Sequence, residues 1–148
     1  MRLLIDTHVW LWALAADRRL RREAREAIQD PDNEVLLSVA SAWEIGIKAA
    51  KGRLDLPTPA EVFVPEAIAT SPTTILEVTL RHVLRSAALP PHHNDPFDRL
   101  LIAQAQIERL AVLTADKTFD LYGISVIPAA ADPRSERRRA TSATRRDA

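Results

Sequence analysis

Short apolar runs alternate with helical stripes along the whole chain. Arg2–Asp6 (RLLID) reads as a buried strand, and Thr7–Ala16 as a helix with Trp10, Leu11 and Leu14 at helical spacing. Residues 17–30 (DRRLRREAREAIQD) predict a second helix, polar on most faces, with Leu20, Ala24, Ala27 and Ile28 as its apolar stripe. The turn PDN leads into a strand at Glu34–Ser38. Val39–Lys51 then predicts a helix with Val39, Trp43, Ile47 and Ala50 on one side, closed by Gly52. Residues 54–72 are less regular and read as a loop, a short helix and a turn. A strand at Thr74–Val78 and a helix at Thr79–Ala88 follow. Beyond LPPHHNDP comes the most regular helix, Phe97–Arg109, and strands at Ala111–Thr114 and Ile124–Ile127 complete the pattern. Short buried strands alternating with helices predict one α/β domain on a mainly parallel sheet, without internal repeats.

Composition narrows the function classes. The 148 residues are about one domain's worth, and the absence of cysteine excludes disulfides, thiolate zinc sites and cysteine nucleophiles. The first apolar run is broken by Asp6 and His8 and is too short to span a bilayer, so a cytoplasmic location is expected. A formal net charge of zero conceals an asymmetry. Residues 132–148 carry six arginines against three carboxylates, whereas residues 1–131 carry 14 basic and 17 acidic side chains. We therefore expect a folded domain over 1–131 and a basic, disordered tail over 132–148, either solvated or able to contact nucleic acid.

The acids raise the chemical question. A strand buried on both faces ends in Asp6, and burying a carboxylate is costly unless something neutralises it. Glu44, Asp98 and Asp116 occupy comparable places, just past a strand or in the opening turns of a helix. Each has an ordinary alternative. Asp6 and Asp116 suit helix caps, Asp95 before Pro96 suits an N-cap with Asp98 in the first turn, and Ser41 with Glu44 matches a capping box. Glu44 also suits an i,i+4 pair with Lys48. Together, however, they fall where a parallel α/β sheet gathers its ligand-binding edge. Converging carboxylates repel, and an oxygen-rich set without cysteine favours a hard divalent ion, Mg²⁺ or Mn²⁺. Such a set is what two-metal phosphodiester hydrolysis requires.

The motifs LLIDTHVWLW, SAWEIGIK, HHNDPFDRLLIAQA and LTADKTF, over roughly residues 2–128, resemble the PIN-domain ribonucleases, particularly the VapC-type toxins of toxin–antitoxin pairs. The resemblance implies a three-layer α/β/α domain, Mg²⁺- or Mn²⁺-dependent RNA cleavage, a homodimer and inhibition by a cognate antitoxin. Position by position, it implies that Asp6, Glu44, Asp98 and Asp116 hold the metal. Asp98, rather than Asp95, matches the third acid. Asp95, Thr7 and, more remotely, Asp120 are candidates for a supporting role.

Other residues are read more plainly. Lys48, Arg99 and Lys117 lie near the acids and are candidates for phosphate contact or, more simply, solvated charges. His92 and His93 are read as exposed loop residues, with contact to RNA or a ligating acid as the alternative, and His8 and His82 receive no role. Trp10 and Trp43 are expected in the core and Trp12 at an interface. The rival functions are a phospho-accepting receiver domain, a non-catalytic binding module, and a PIN nuclease of RNA maturation. A receiver normally needs an acid pair on its first strand, where this chain has one acid.

Overall fold

Five strands, β1 (Arg2–Ile5), β2 (Glu34–Ser38), β3 (Thr73–Leu76), β4 (Ala111–Thr114) and β5 (Val126–Pro128), pair in the order β3-β2-β1-β4-β5, every neighbour parallel. They form the centre of the computed structural model, which describes residues 1–131. The basic tail expected over 132–148 lies outside the described residues. Six helices connect the strands: α1 (Thr7–Leu14), α2 (Arg22–Gln29), α3 (Val39–Ala50), α4 (Ala60–Thr70), α5 (Leu80–Ala88) and α6 (Pro96–Glu108). A 3₁₀ helix, Lys117–Tyr122, lies between β4 and β5.

Alternation along each strand sorts the core into two halves. Leu3, Ile5, Val35, Leu37 and Leu113 pack with Val9 and Trp10 of α1, Ala24 and Ile28 of α2, and Val64 and Ala67 of α4. Leu4, Leu36 and Val112 face the other way, onto Leu101, Ile102 and Ala105 of α6 and onto Phe119 and Tyr122. Both faces are therefore covered, which is why the strands read as continuous apolar runs. Each fully buried leucine or isoleucine contributes about 1.5–3 kcal/mol. Among the described residues no helix is long and apolar enough to cross a membrane.

The strand order builds the site. From β1 the chain steps outward through β2 to β3, then returns to the other side of β1 for β4 and β5. Direction reverses between β1 and β4, the kind of place where open α/β sheets bind their ligands, beyond the carboxyl ends of the strands. A flavodoxin-like receiver would place β2-β1-β3 side by side; the observed order removes that reading.

Several local expectations shift. Helix α2 begins at Arg22 rather than Asp17, because Asp17 accepts from the backbone N–H and guanidinium of Arg19 and so turns the chain. The indistinct segment contains an 11-residue helix, α4, whose interior Pro65 obscured it in the sequence. The buried face of α3 is Ala40, Ser41, Glu44 and Ile45, one position round from the predicted stripe, and Trp43 is 62% exposed rather than in the core. The polar pair Ser41 and Glu44 faces inward there. Trp10 is buried as expected, and Gly52, at φ +68°, ends α3.

Candidate metal centre

Asp6 stands at the carboxyl end of β1 and precedes α1, yet its side chain makes no capping bond. Its Oδ2 accepts from the Thr114 hydroxyl at 2.8 Å, from the end of the neighbouring strand β4. Its Oδ1 is buried and has no hydrogen-bond partner among the described residues. Burial pushes the Asp6 carboxyl above its ordinary range, and the negative charge of Glu44 adds to this, although the Thr114 hydroxyl and His8 oppose it. Thr7 does not orient Asp6 through its hydroxyl; that hydroxyl donates to Ser41 Oγ at 2.8 Å.

Glu44 enters from α3. Ser38, not Ser41, caps this helix, accepting from the Ala40 N–H, so the expected capping box is not formed. That places Glu44 in the second turn, turned inward and 2% exposed. Its Oε2 accepts from Lys48 Nζ at 2.7 Å, making the anticipated i,i+4 pair, so Lys48 is engaged rather than simply solvated. Its Oε1 is buried without a partner, as in Asp6.

Asp98 opens α6, the helix that leads into β4, so its N-terminus reaches the same edge of the sheet. Asp95 is the N-cap, its Oδ1 accepting from the N–H groups of Phe97 and Asp98 at 2.8 and 3.1 Å. Asp98 is pushed up to about 8, first by burial and then by the negative charges of Asp6, Asp95, Glu44 and Asp116. Asp116 follows β4 and caps the 3₁₀ helix, its Oδ1 accepting from the Thr118 N–H at 2.9 Å. Burial pushes its carboxyl up, but bonds from Thr118 and the His93 ring outweigh this and leave it below the ordinary range. Its own N–H donates to Thr114 Oγ1 at 3.0 Å, so one threonine links the first and fourth acids. Asp120 is exposed and stays outside this cluster.

His93 is not the exposed loop residue first expected. Its Nε2 lies 2.8 Å from Asp116 Oδ2 and 3.1 Å from Asp98 Oδ2. Arg99 is likewise not a free cation: its guanidinium donates to the carbonyls of Ser86, Leu89, Pro90 and His93. His92 is exposed and sits edge-on to Tyr122, and Lys117 is exposed. His82, given no role from the sequence, is buried in a capping box with Thr79 and reaches Glu108 at 2.9 Å. Trp43 meets Phe97 edge-on at 5.2 Å, and Trp12 is half-buried beneath Arg19.

This donor set fits a hard divalent cation. Two buried carboxylate oxygens lack a partner among the described residues, and Asp98 is surrounded by four other acids; a cation would satisfy the first and relieve the second. Asp98 Oδ2 and Asp116 Oδ2 are also brought close together, lying 3.1 and 2.8 Å from the same His93 Nε2.

A profile of the PIN domain matches residues 3–124, which include all four acids. The chain belongs to the PIN domain family. Ribonuclease VapC16 of Mycobacterium tuberculosis (strain ATCC 25618 / H37Rv) is 40% identical over 75 residues, covering 51% of this chain and 52% of that relative. The match thus spans about half the length of this curated PIN relative. A toxin–antitoxin complex from Klebsiella pneumoniae is similar at 25% identity and a TM-score of 0.56, over 84% of this chain and 95% of that one. VapBC2 from Rickettsia felis, bound to a DNA fragment from its promoter, superposes with a TM-score of 0.66 at 13% identity, over 87% and 99% of the two chains. That last likeness is one of PIN fold alone.

Proposed function

We propose that this PIN domain is a divalent-metal-dependent endoribonuclease of the toxin–antitoxin type, acting in the cytoplasm with Mg²⁺ or Mn²⁺. One observation carries the reading: among the described residues, Asp6 Oδ1 and Glu44 Oε1 are buried without partners at the sheet edge where Asp98 and Asp116 also converge. The likeness to a VapC ribonuclease and to toxin–antitoxin structures supports the choice of substrate and partner.

In this reading Asp6, Glu44, Asp98 and Asp116 hold the ion. A bound divalent cation supplies Lewis acidity for in-line hydrolysis of the phosphodiester, leaving a 3′-hydroxyl and a 5′-phosphate. Asp6 and Glu44 present oxygens that are already stripped of water, so little reorganisation accompanies metal binding. Thr114 holds Asp6 in place, and Lys48 holds Glu44. Among the described residues no side chain is placed as an activated nucleophile, so this reading needs no covalent intermediate on the protein. The partners are RNA, a cognate antitoxin and a second copy of this chain. Leu80, Val83 and Leu84 along α5 are exposed apolar positions of the kind protein contacts cover.

The test incubates structured RNA with the protein in Mn²⁺, Mg²⁺ or EDTA, beside Asp6→Asn and Asp98→Asn. Cleavage that needs the metal and is absent in both folded variants is the expected result. Equal cleavage by the variants would sink the assignment of these acids, and a parent that binds no divalent ion in calorimetry would return them to the role of caps.

A further inference from the structure

His93 lies on a loop, yet it is held on several sides. Its backbone N–H donates to Tyr122 Oη at 2.7 Å, and that hydroxyl donates to the Pro90 carbonyl at 2.8 Å. The carbonyls of His93 and Pro90 both accept from Arg99 Nη1 at 3.0 Å. The ring meets Phe119 edge-on at 5.9 Å. An arginine donating to four carbonyls and a buried tyrosine therefore fix one imidazole between Asp98 and Asp116, which come from different elements.

The ring's chemistry follows from its neighbours. Its Nδ1 accepts from the Asp95 N–H at 3.1 Å, so Nδ1 carries no proton and the ring's proton sits on Nε2. The Nε2–H then donates to Asp116 Oδ2, with Asp98 Oδ2 close beside the same nitrogen. A nitrogen that carries a proton has no lone pair to offer a metal. The backbone of Asp95 thus selects the tautomer that donates to carboxylates over the one that ligates.

We propose that His93 is a positioning residue of the divalent-ion site: its Nε2–H draws the carboxylates of Asp98 and Asp116 together and aims their remaining lone pairs at the cation. The inference rests on the metal-binding reading given above. Partners of this kind behind metal ligands are worth about 10–100-fold in affinity.

The test measures Mn²⁺ binding to the full chain by calorimetry for the parent, His93→Ala and His93→Gln, the amide of Gln supplying a replacement donor. We expect His93→Ala to bind about tenfold or more weakly with its cooperative unfolding retained, and His93→Gln to recover most of the loss. If His93→Ala does not fold, His93→Met takes its place, being similar in length to Gln but lacking the donor. Variants with and without a donor that bind like the parent overturn the proposal alone. A nitrogen coupling in the spin-echo spectrum of Mn²⁺ bound to the parent, lost in the His93 variant, also overturns it by making His93 a ligand. A parent that binds no Mn²⁺ overturns both this proposal and the reading beneath it.

Discussion

Thr114 and Asp6 are separated by 108 positions in the chain and joined by a 2.8 Å hydrogen bond, hydroxyl to carboxylate, between the ends of the paired strands β4 and β1. The same hydroxyl accepts from the Asp116 N–H. Thr114→Val keeps the shape but leaves two polar groups unpaired, one of them on a buried acid. We expect a loss of about 1–3 kcal/mol in urea unfolding, with weaker Mn²⁺ binding. Unchanged values for both would show that the threonine only fills space.

The metal-free protein should lose stability as the solution becomes more alkaline. Asp98 is pushed up to about 8 by burial and by the surrounding acids, and Asp6 is raised as well. A carboxyl with a raised folded pKa binds more protons folded than unfolded, so its contribution is present at low pH and fades from about pH 4 towards pH 8. Asp116 is lowered and acts in the opposite sense, but only below the ordinary carboxylate range. Thermal melting in EDTA should therefore fall by several degrees between about pH 5.5 and 8.5, and saturating Mn²⁺ should restore the loss. A flat profile in EDTA would mean the acids are better compensated than this.

Asp98→Asn separates a metal ligand from a helix-dipole partner. We expect RNA cleavage to fall by about 100-fold or more, while the metal-free fold gains about 1 kcal/mol at pH 8 as repulsion is relieved. A role confined to the helix dipole would instead leave activity intact and cost about 0.3–1 kcal/mol.

Arg99→Lys probes the loop that carries His93. Lysine keeps the charge but not the planar fork that meets four carbonyls at 2.7–3.0 Å. A loss of about 2–3 kcal/mol is expected. Faster amide exchange over residues 89–95 should accompany it, whereas unchanged exchange would count against Arg99 as the anchor.

The two tryptophans nearest the motif acids should respond in opposite ways. Trp10 is 2% exposed and Trp43 is 62% exposed. Trp10→Ala should cost about 3–5 kcal/mol and Trp43→Ala under about 1 kcal/mol. Similar losses in chemical denaturation would return Trp43 to the core.

Much of this was legible in the sequence because period and chemistry agreed. The runs at β1, β2 and β4 are apolar on both faces, so the parallel sheet could be read directly, and the acids that close those runs stood out against them. Trp43 misled for the complementary reason. Ser41 and Glu44 face inward on α3, so the apolar stripe and the buried face are different faces, and periodicity follows the stripe. His93 was ambiguous because nothing in HHN distinguishes the two histidines. Arg99, Tyr122 and the Asp95 N–H decide between them, and all three lie further along the chain, Tyr122 by 29 positions. Thr114 offered a signal, a hydroxyl ending a buried strand beside an acid, but its partner was 108 positions away.

The strand order bears on the birth of the protein as well as its chemistry. β1 is translated well before β4, yet the two lie side by side, with Ile5 opposite Leu113. Until translation passes Asp116, the nascent chain lacks the fourth acid and the strand that orders the first. Under the proposed function, the centre stays unassembled until β4 has been made and has paired with β1.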